Sequence, residues 1–158
     1  VSSLAMGVLN KDYFKVGTSP AFYAKIKFSI ADVSGSDNLR FGFTQKDEAY
    51  NSDADDYTDA AWMACISGDI YAVTILGNAS TSATDLSVSD WADTETHTFQ
   101  INVSAAGVVT YLLDDVEVSG APAYTFADEL LVTPMWRHQH ATDLAGAIVW
   151  QELEFGLQ

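Results

Sequence analysis

The chain has little with which to staple, break or coil itself. Of its 158 residues one is a cysteine, Cys65, and three are prolines. A single thiol cannot close an internal disulfide, so the fold does not depend on an oxidising compartment. Cys65 sits in an apolar run and is expected to be a buried small hydrophobe, not a reactive thiol. Cations are scarce as well: seven Lys and Arg stand against twenty-two Asp and Glu, a net charge of −15. Such a surface repels phosphates, which argues against nucleic acid as a partner. No apolar run approaches the length of a membrane-spanning helix, so no membrane partner is expected. The first ten residues lack the basic flank of a signal peptide and an initiator Met. Residues 1–158 are therefore expected to be a single domain, a fragment or processed part of a longer chain. No segment sustains a 3.6-residue apolar period, which leaves helix without a basis in the pattern.

What is present is a chain that is 48% hydrophobic and 12% aromatic, enough for a full core. Its period is two. In the stretch from Trp91 to Val118, Phe99, Ile101 and Val103 alternate with Thr98, Gln100 and Asn102. Gly107 can take the positive φ of a hairpin connection, and a second strand follows through Val109, Tyr111 and Leu113. Asp114-Asp115 makes a tight turn into a short third strand. Upstream, Phe22, Ala24, Ile26, Phe28 and Ile30 face one way with Tyr23, Lys25, Lys27 and Ser29 opposite. Leu39, Phe41 and Phe43 form another alternating strand, and Leu153 and Phe155 oppose Glu152 and Glu154 in a closing one. Pro134 would remove a ladder donor in mid-sheet, so the strand from Leu130 to Arg137 is expected to be an edge or bulged there.

Trp91, His97, Phe99, Ile101, Val103, Gly107, Val109, Tyr111 and Asp114 together resemble the pattern of concanavalin A-like lectin/glucanase domains. The laminin-G-like branch, and the versions found in bacteriophage structural proteins, are the most similar. One departure is the second turn, where the family usually has Asp-Gly and this chain has Asp114-Asp115. The resemblance extends more faintly to Phe22–Ile30 and to the strand near Ile148–Phe155. It implies an all-β, two-sheet antiparallel jelly-roll-like sandwich of about ten strands. For function it implies a non-enzymatic virion structural or decoration module of a phage head, fibre or tail. Its partners would be copies of itself and other virion structural proteins, and its place the virion surface. The alternative is a carbohydrate-binding adhesin-type lectin domain, with calcium as an option and a surface glycan as partner. The Glu-x-Asp-x-x-Glu run of the glucanase members, which sets two carboxylates for retaining chemistry, does not occur here. No enzyme is expected.

Three groups of residues carry the site expectations. The hairpin from Ala61 to Leu76 is apolar on both faces, and a strand of that kind is normally covered on both sides. The domain's own loops are the first candidate for that cover. A subunit interface through Trp62, Tyr71, Val73 and Ile75 is the second. If the strand beyond Pro134 continues, Trp136, His138 and His140 share a face, an aromatic platform with polar neighbours for a sugar; two imidazoles are too few for a closed zinc site. In the acidic loop KDEAYNSDADDYTDA, Asp53, Asp55 and Asp56 are the calcium candidates, since hard cations take several carboxylate oxygens on a flexible loop. The spacing does not fit an EF-hand. Charge is also uneven along the chain: six of the seven cations precede Asp47 and nineteen of the acids follow Lys46. Complementary docking between copies would use such polarity.

Overall fold

The computed structural model describes residues 3–8, 13–33, 38–46, 57–66, 68–79, 82–86, 91–140 and 147–158. Of residues 3–8, 38, 139 and 140 it describes the backbone alone. In chain order the strands are β1 (Ser3–Val8), β2 (Phe14–Lys15), β3 (Phe22–Ile30), β4 (Asn38–Gln45), β5 (Ala60–Ile66) and β6 (Asp69–Ile75). There follow β7 (Ser82–Asp85), β8 (Thr96–Val103), β9 (Val109–Leu113), β10 (Val116–Glu117), β11 (Leu131–His140) and β12 (Ile148–Leu157). No α-helix occurs among the described residues.

Two antiparallel sheets result. One runs β1-β11-β4-β5-β6-β7, with β2 also on β11; the other runs β10-β9-β8-β3-β12. The alternation in β3 is complete, with every second residue from Phe22 to Ile30 buried. That face meets the inward side of the seven-stranded sheet, where Leu39, Phe41, Phe43, Ala61, Met63 and Cys65 lie in the same core. Phe22 packs flat on Phe14 at 4.4 Å and edge-on to Phe43 at 5.2 Å. Trp91 closes the far end against Phe28 at 4.8 Å, its indole N–H donating to the Glu95 carbonyl at 3.0 Å. The fold is the expected all-β sandwich.

The turns explain the register. Gly107 has φ 85°, and a Cβ there would run into the Phe126 carbonyl and Val16. Asp114 and Asp115 sit at φ 51° and 65°, the two-residue left-handed turn whose twist matches a hairpin. Pro134 finds the position its missing N–H requires. It lies between the two partners that β11 has on one side, for β1 pairs as far as Met135 and β2 begins at Val132. No described residue pairs with Pro134 on that side, while Phe43 of β4 pairs with it on the other. The hairpin β5–β6 is buried on both faces, as its composition requires. Its second face forms a separate cluster with Tyr57, Trp62, Val73, Ile75 and Met135, in which the Tyr57 ring meets Trp62 edge-on at 5.0 Å. The chain's own Tyr57 therefore provides part of the cover.

Candidate functional site

The face of the seven-stranded sheet turned away from the sandwich core is the candidate site. Strict alternation decides which residues reach it, and pairing aligns them in rows across the strands. One row runs Arg137 (β11), Arg40 (β4), Ala64 (β5), Tyr71 (β6) and Asp85 (β7). The next runs Met135, Gly42, Trp62, Val73 and Ala83. Gly42 is required by its neighbour, because a Cβ there would meet the Ala61 carbonyl and the Trp62 ring. The Arg40 guanidinium lies over the Trp62 ring at 5.1 Å from its centroid, a cation–π contact in a desolvated place.

The electrostatics of this face differ from one end to the other. At the β11–β4 end, Arg137 and Arg40 are both buried and directly paired in register. Buried cations need charged or polar partners, and both arginines interact with other groups of the chain. The Trp62 indole N–H and the Thr133 hydroxyl are buried on this face without a hydrogen-bond partner among the described residues. At the β6–β7 end the face opens. Tyr71 is half-buried, and its phenol donates to Asp69 at 3.5 Å. Asp85 stands opposite it on β7, with Ser82 and Ala83 exposed beside it. Desolvation first, then the charges of Asp69 and Asp85, push the Tyr71 phenol above its ordinary pKa, so it stays a neutral donor. A ring face with two flanking carboxylates can stack on a sugar and accept hydrogen bonds from its hydroxyls.

The residues singled out from sequence fall on both sides of this sheet. Trp62, Val73 and Ile75 are buried within the chain on the outer face, and Tyr71 stands at its open rim. Trp136 and His138 share a face, but it is the other one. Trp136 is half-buried against the core and meets Trp150 at 5.1 Å, and His138 is buried and engaged within the chain. His140 lies at the end of β11 opposite Ser3, its side chain outside the described part of the structure. Asp53, Asp55 and Asp56 also lie outside the described residues. Among the described residues no group of three or more His, Cys, Asp and Glu is placed to hold a metal ion. The sequence reading passed over Arg40, Arg137, Asp69 and Asp85 as site residues. Their only signal was parity with Trp62 and Tyr71 on alternating strands, and that becomes a site only once strand order is known.

His97, which entered through the family pattern, has a structural role. Its Nδ1 is 2.7 Å from Asp114 and its Nε2 3.4 Å from Glu95, and its ring stands edge-on to Trp91 at 4.7 Å. Asp114 also accepts from the Thr98 amide at 2.8 Å, so this knot ties the turn after β9 to the start of β8.

No family model matches the chain, and no curated protein does. Solved structures match well. An alginate lyase from Pseudomonas aeruginosa superposes with a TM-score of 0.60 at 12% identity, over 92% of this chain and 68% of that one. The potassium-bound carbohydrate recognition domain of Emp46p gives 0.61 at 10% identity, over 98% and 87%. A toad ovary galectin in complex with thio-digalactose gives 0.52 at 11% identity, over 99% and 100%. The fold is concanavalin A-like. These concanavalin A-like neighbours include lectins and polysaccharide lyases, and at such identities the likeness shows the fold alone. The expectation of a non-enzymatic chain draws no support from neighbours that include enzymes.

Proposed function

We propose that the chain is a carbohydrate-binding module that takes a neutral glycan at the open rim of the outer sheet face. The observation that carries this is Tyr71, half-exposed between Asp69 along its own strand and Asp85 across the sheet. Tyr71 takes the stacking role that the sequence offered to Trp136, because Trp136 packs toward the core. The Arg40–Trp62 stack behind it supplies a rigid floor. Sugar recognition by the galectin and by the Emp46p domain on the same fold supports the reading by analogy. In this reading the module works by binding, with Asp69 and Asp85 accepting hydrogen bonds from sugar hydroxyls. A calcium ion on Asp53, Asp55 and Asp56 belongs to the same proposal. These acids precede Tyr57, which packs on Trp62, so a cation there would order the approach to the floor.

A second reading is a virion structural module at the particle surface, working through protein contacts. It is favoured by the apolar side chains left exposed on β12, Val149, Trp150, Leu153 and Leu157. A glycan array probed with wild type and Tyr71→Ala, in calcium and in chelator, separates the readings. A glycan signal that Tyr71→Ala abolishes supports the first. An empty array together with retention on particles supports the second.

A further inference from the structure

β12 is a long sheet edge with only part of the usual protection. Among the described residues it pairs with β3 alone, carries no Pro, Lys or Arg, and extends over ten residues. Leu153 is 42% exposed and Leu157 56%, although both point toward the layer between the sheets. Folded proteins commonly blunt such edges with bulges, charge or very short strands. The opposite edge of the same sheet, β10, is two residues long. In β12 two such devices are present, the carboxylates of Glu152 and Glu154 and a register shift between Trp150 and Glu152, beyond which Glu152–Gln158 is a regular segment.

Hydrogen-bond phase decides what that segment offers. The Gln158 amide donates to the Ala21 carbonyl at 2.7 Å, so Gln158 and Ala21 form a hydrogen-bonded pair. Antiparallel pairs alternate, so Gly156, Glu154 and Glu152 turn their backbone groups to β3. Leu157, Phe155 and Leu153 turn theirs to the open side. The three residues whose amides and carbonyls are free on that edge are also the three whose apolar side chains face inward.

We propose that this edge pairs with the same edge of a second copy, antiparallel about a two-fold axis at Phe155. The side chains select the register. Centring the axis on Leu153 would set Glu152 of each copy against Glu154 of the other, and centring it on Glu154 would oppose that carboxylate to itself. Like charges directly opposite are destabilising. Centring on Phe155 sets Glu154 against Gly156 and Glu152 against Gln158. It also sets Leu153 against Leu157 and Phe155 against its own copy, with both backbone bonds exchanged at each of these pairs. The carboxylates that remain are answered within each copy, where Glu152 and Glu154 stand opposite Lys27 and Lys25. The result is one continuous sheet through both molecules, built from a self-complementary patch as a two-fold interface demands. It does not depend on the sugar reading.

One pair of strands buries less than the roughly 1,200–2,000 Å² of a standard stable interface, so the dimer is expected to be weak and visible in a concentration series reaching about 100 µM. The chain's net charge of −15 makes two copies repel, so added salt should tighten it. Sedimentation velocity on wild type should show a monomer–dimer equilibrium. Leu153→Lys and Leu157→Pro should each abolish it while circular dichroism stays that of the wild type. Leu157→Pro removes an outward-facing amide and the side chain set against Leu153, and Leu153→Lys gives an independent reading if that variant fails to fold. Register is read by disulfide capture. Two copies of a Glu154→Cys/Gly156→Cys variant should crosslink, because opposed non-hydrogen-bonded residues sit about 4.5 Å apart. A cysteine at Gly156 has room, its Cβ being 3.7 Å from the Tyr23 ring. A Glu152→Cys/Glu154→Cys variant should not crosslink. Wild type that stays monomeric throughout the series, or crosslinking in the second variant and not the first, overturns the proposal.

Discussion

Tyr111 shows how burial and hydrogen bonding part company at a single residue. It is 2% exposed, in register with Ile101, and its hydroxyl has no partner among the described residues. Burial pushes its phenol well above the ordinary value. An unsatisfied buried hydroxyl costs about 1–3 kcal/mol, so Tyr111→Phe is expected to raise stability by roughly 1 kcal/mol, read as a higher urea midpoint at unchanged m-value. A loss of stability would mean that a water satisfies the hydroxyl. Cys65 behaves as its apolar neighbours in the sequence indicate: it is buried, and desolvation pushes its thiol up to about 12. Its neutral form is thus favoured on folding. The unfolded chain releases this proton near the thiol's ordinary value of 9.0 while the folded chain holds it to about 12, so stability should fall as pH rises between them. Cys65→Ala should flatten that part of the alkaline unfolding profile. At this scale core residues such as Phe99, Ile101 and Val103 were legible, because alternation alone names them. Arg40 and Arg137 were not, because an arginine on an alternating strand reads as solvent-facing until the register shows what lies over it.

Among the elements, legibility followed pattern strength. The strand over Phe22–Ile30 keeps the bounds its alternation sets, and the turns at Gly107 and Asp114-Asp115 have the left-handed geometry their residue types allow. Two strands were not foreseen. β7, Ser-Ala-Thr-Asp, has no apolar alternation, because it is an exposed edge held by backbone pairing to β6. β1 lies outside any alternating run and is placed by its ladder with β11. Pro134 was legible as an edge signal, but not that β1 and β2 would pair with the same strand to either side of it. Gly107→Ala tests the turn chemistry. The positive φ and the crowding by Phe126 and Val16 should make it cost more than about 1 kcal/mol, measured by denaturant unfolding. A neutral result would show that the loop can relax into another turn type.

At the scale of the molecule, charges far apart along the chain meet among the described residues. Lys25 pairs with Asp115 at 2.8 Å and faces Glu154 across the ladder, and Lys15 pairs with Glu129. Cations from early in the chain thus meet acids from late in it at both sheets. The doubly apolar hairpin likewise folds under the chain's own Tyr57, leaving β12 as the apolar edge on view. What remains for function is the outer sheet face, closed at its arginine end and open around Tyr71. That opening follows from strand order, since β6 and β7 end the sheet there, and strand order is carried by contacts between residues far apart in sequence. The most direct test of the account is calorimetric titration of wild type and Tyr71→Ala with a glycan identified on the array. The account predicts saturable binding that falls at least about tenfold in the variant, the loss of one stacking contact with its hydrogen bonds. Equal affinity of the two proteins would place the sugar elsewhere and contradict it.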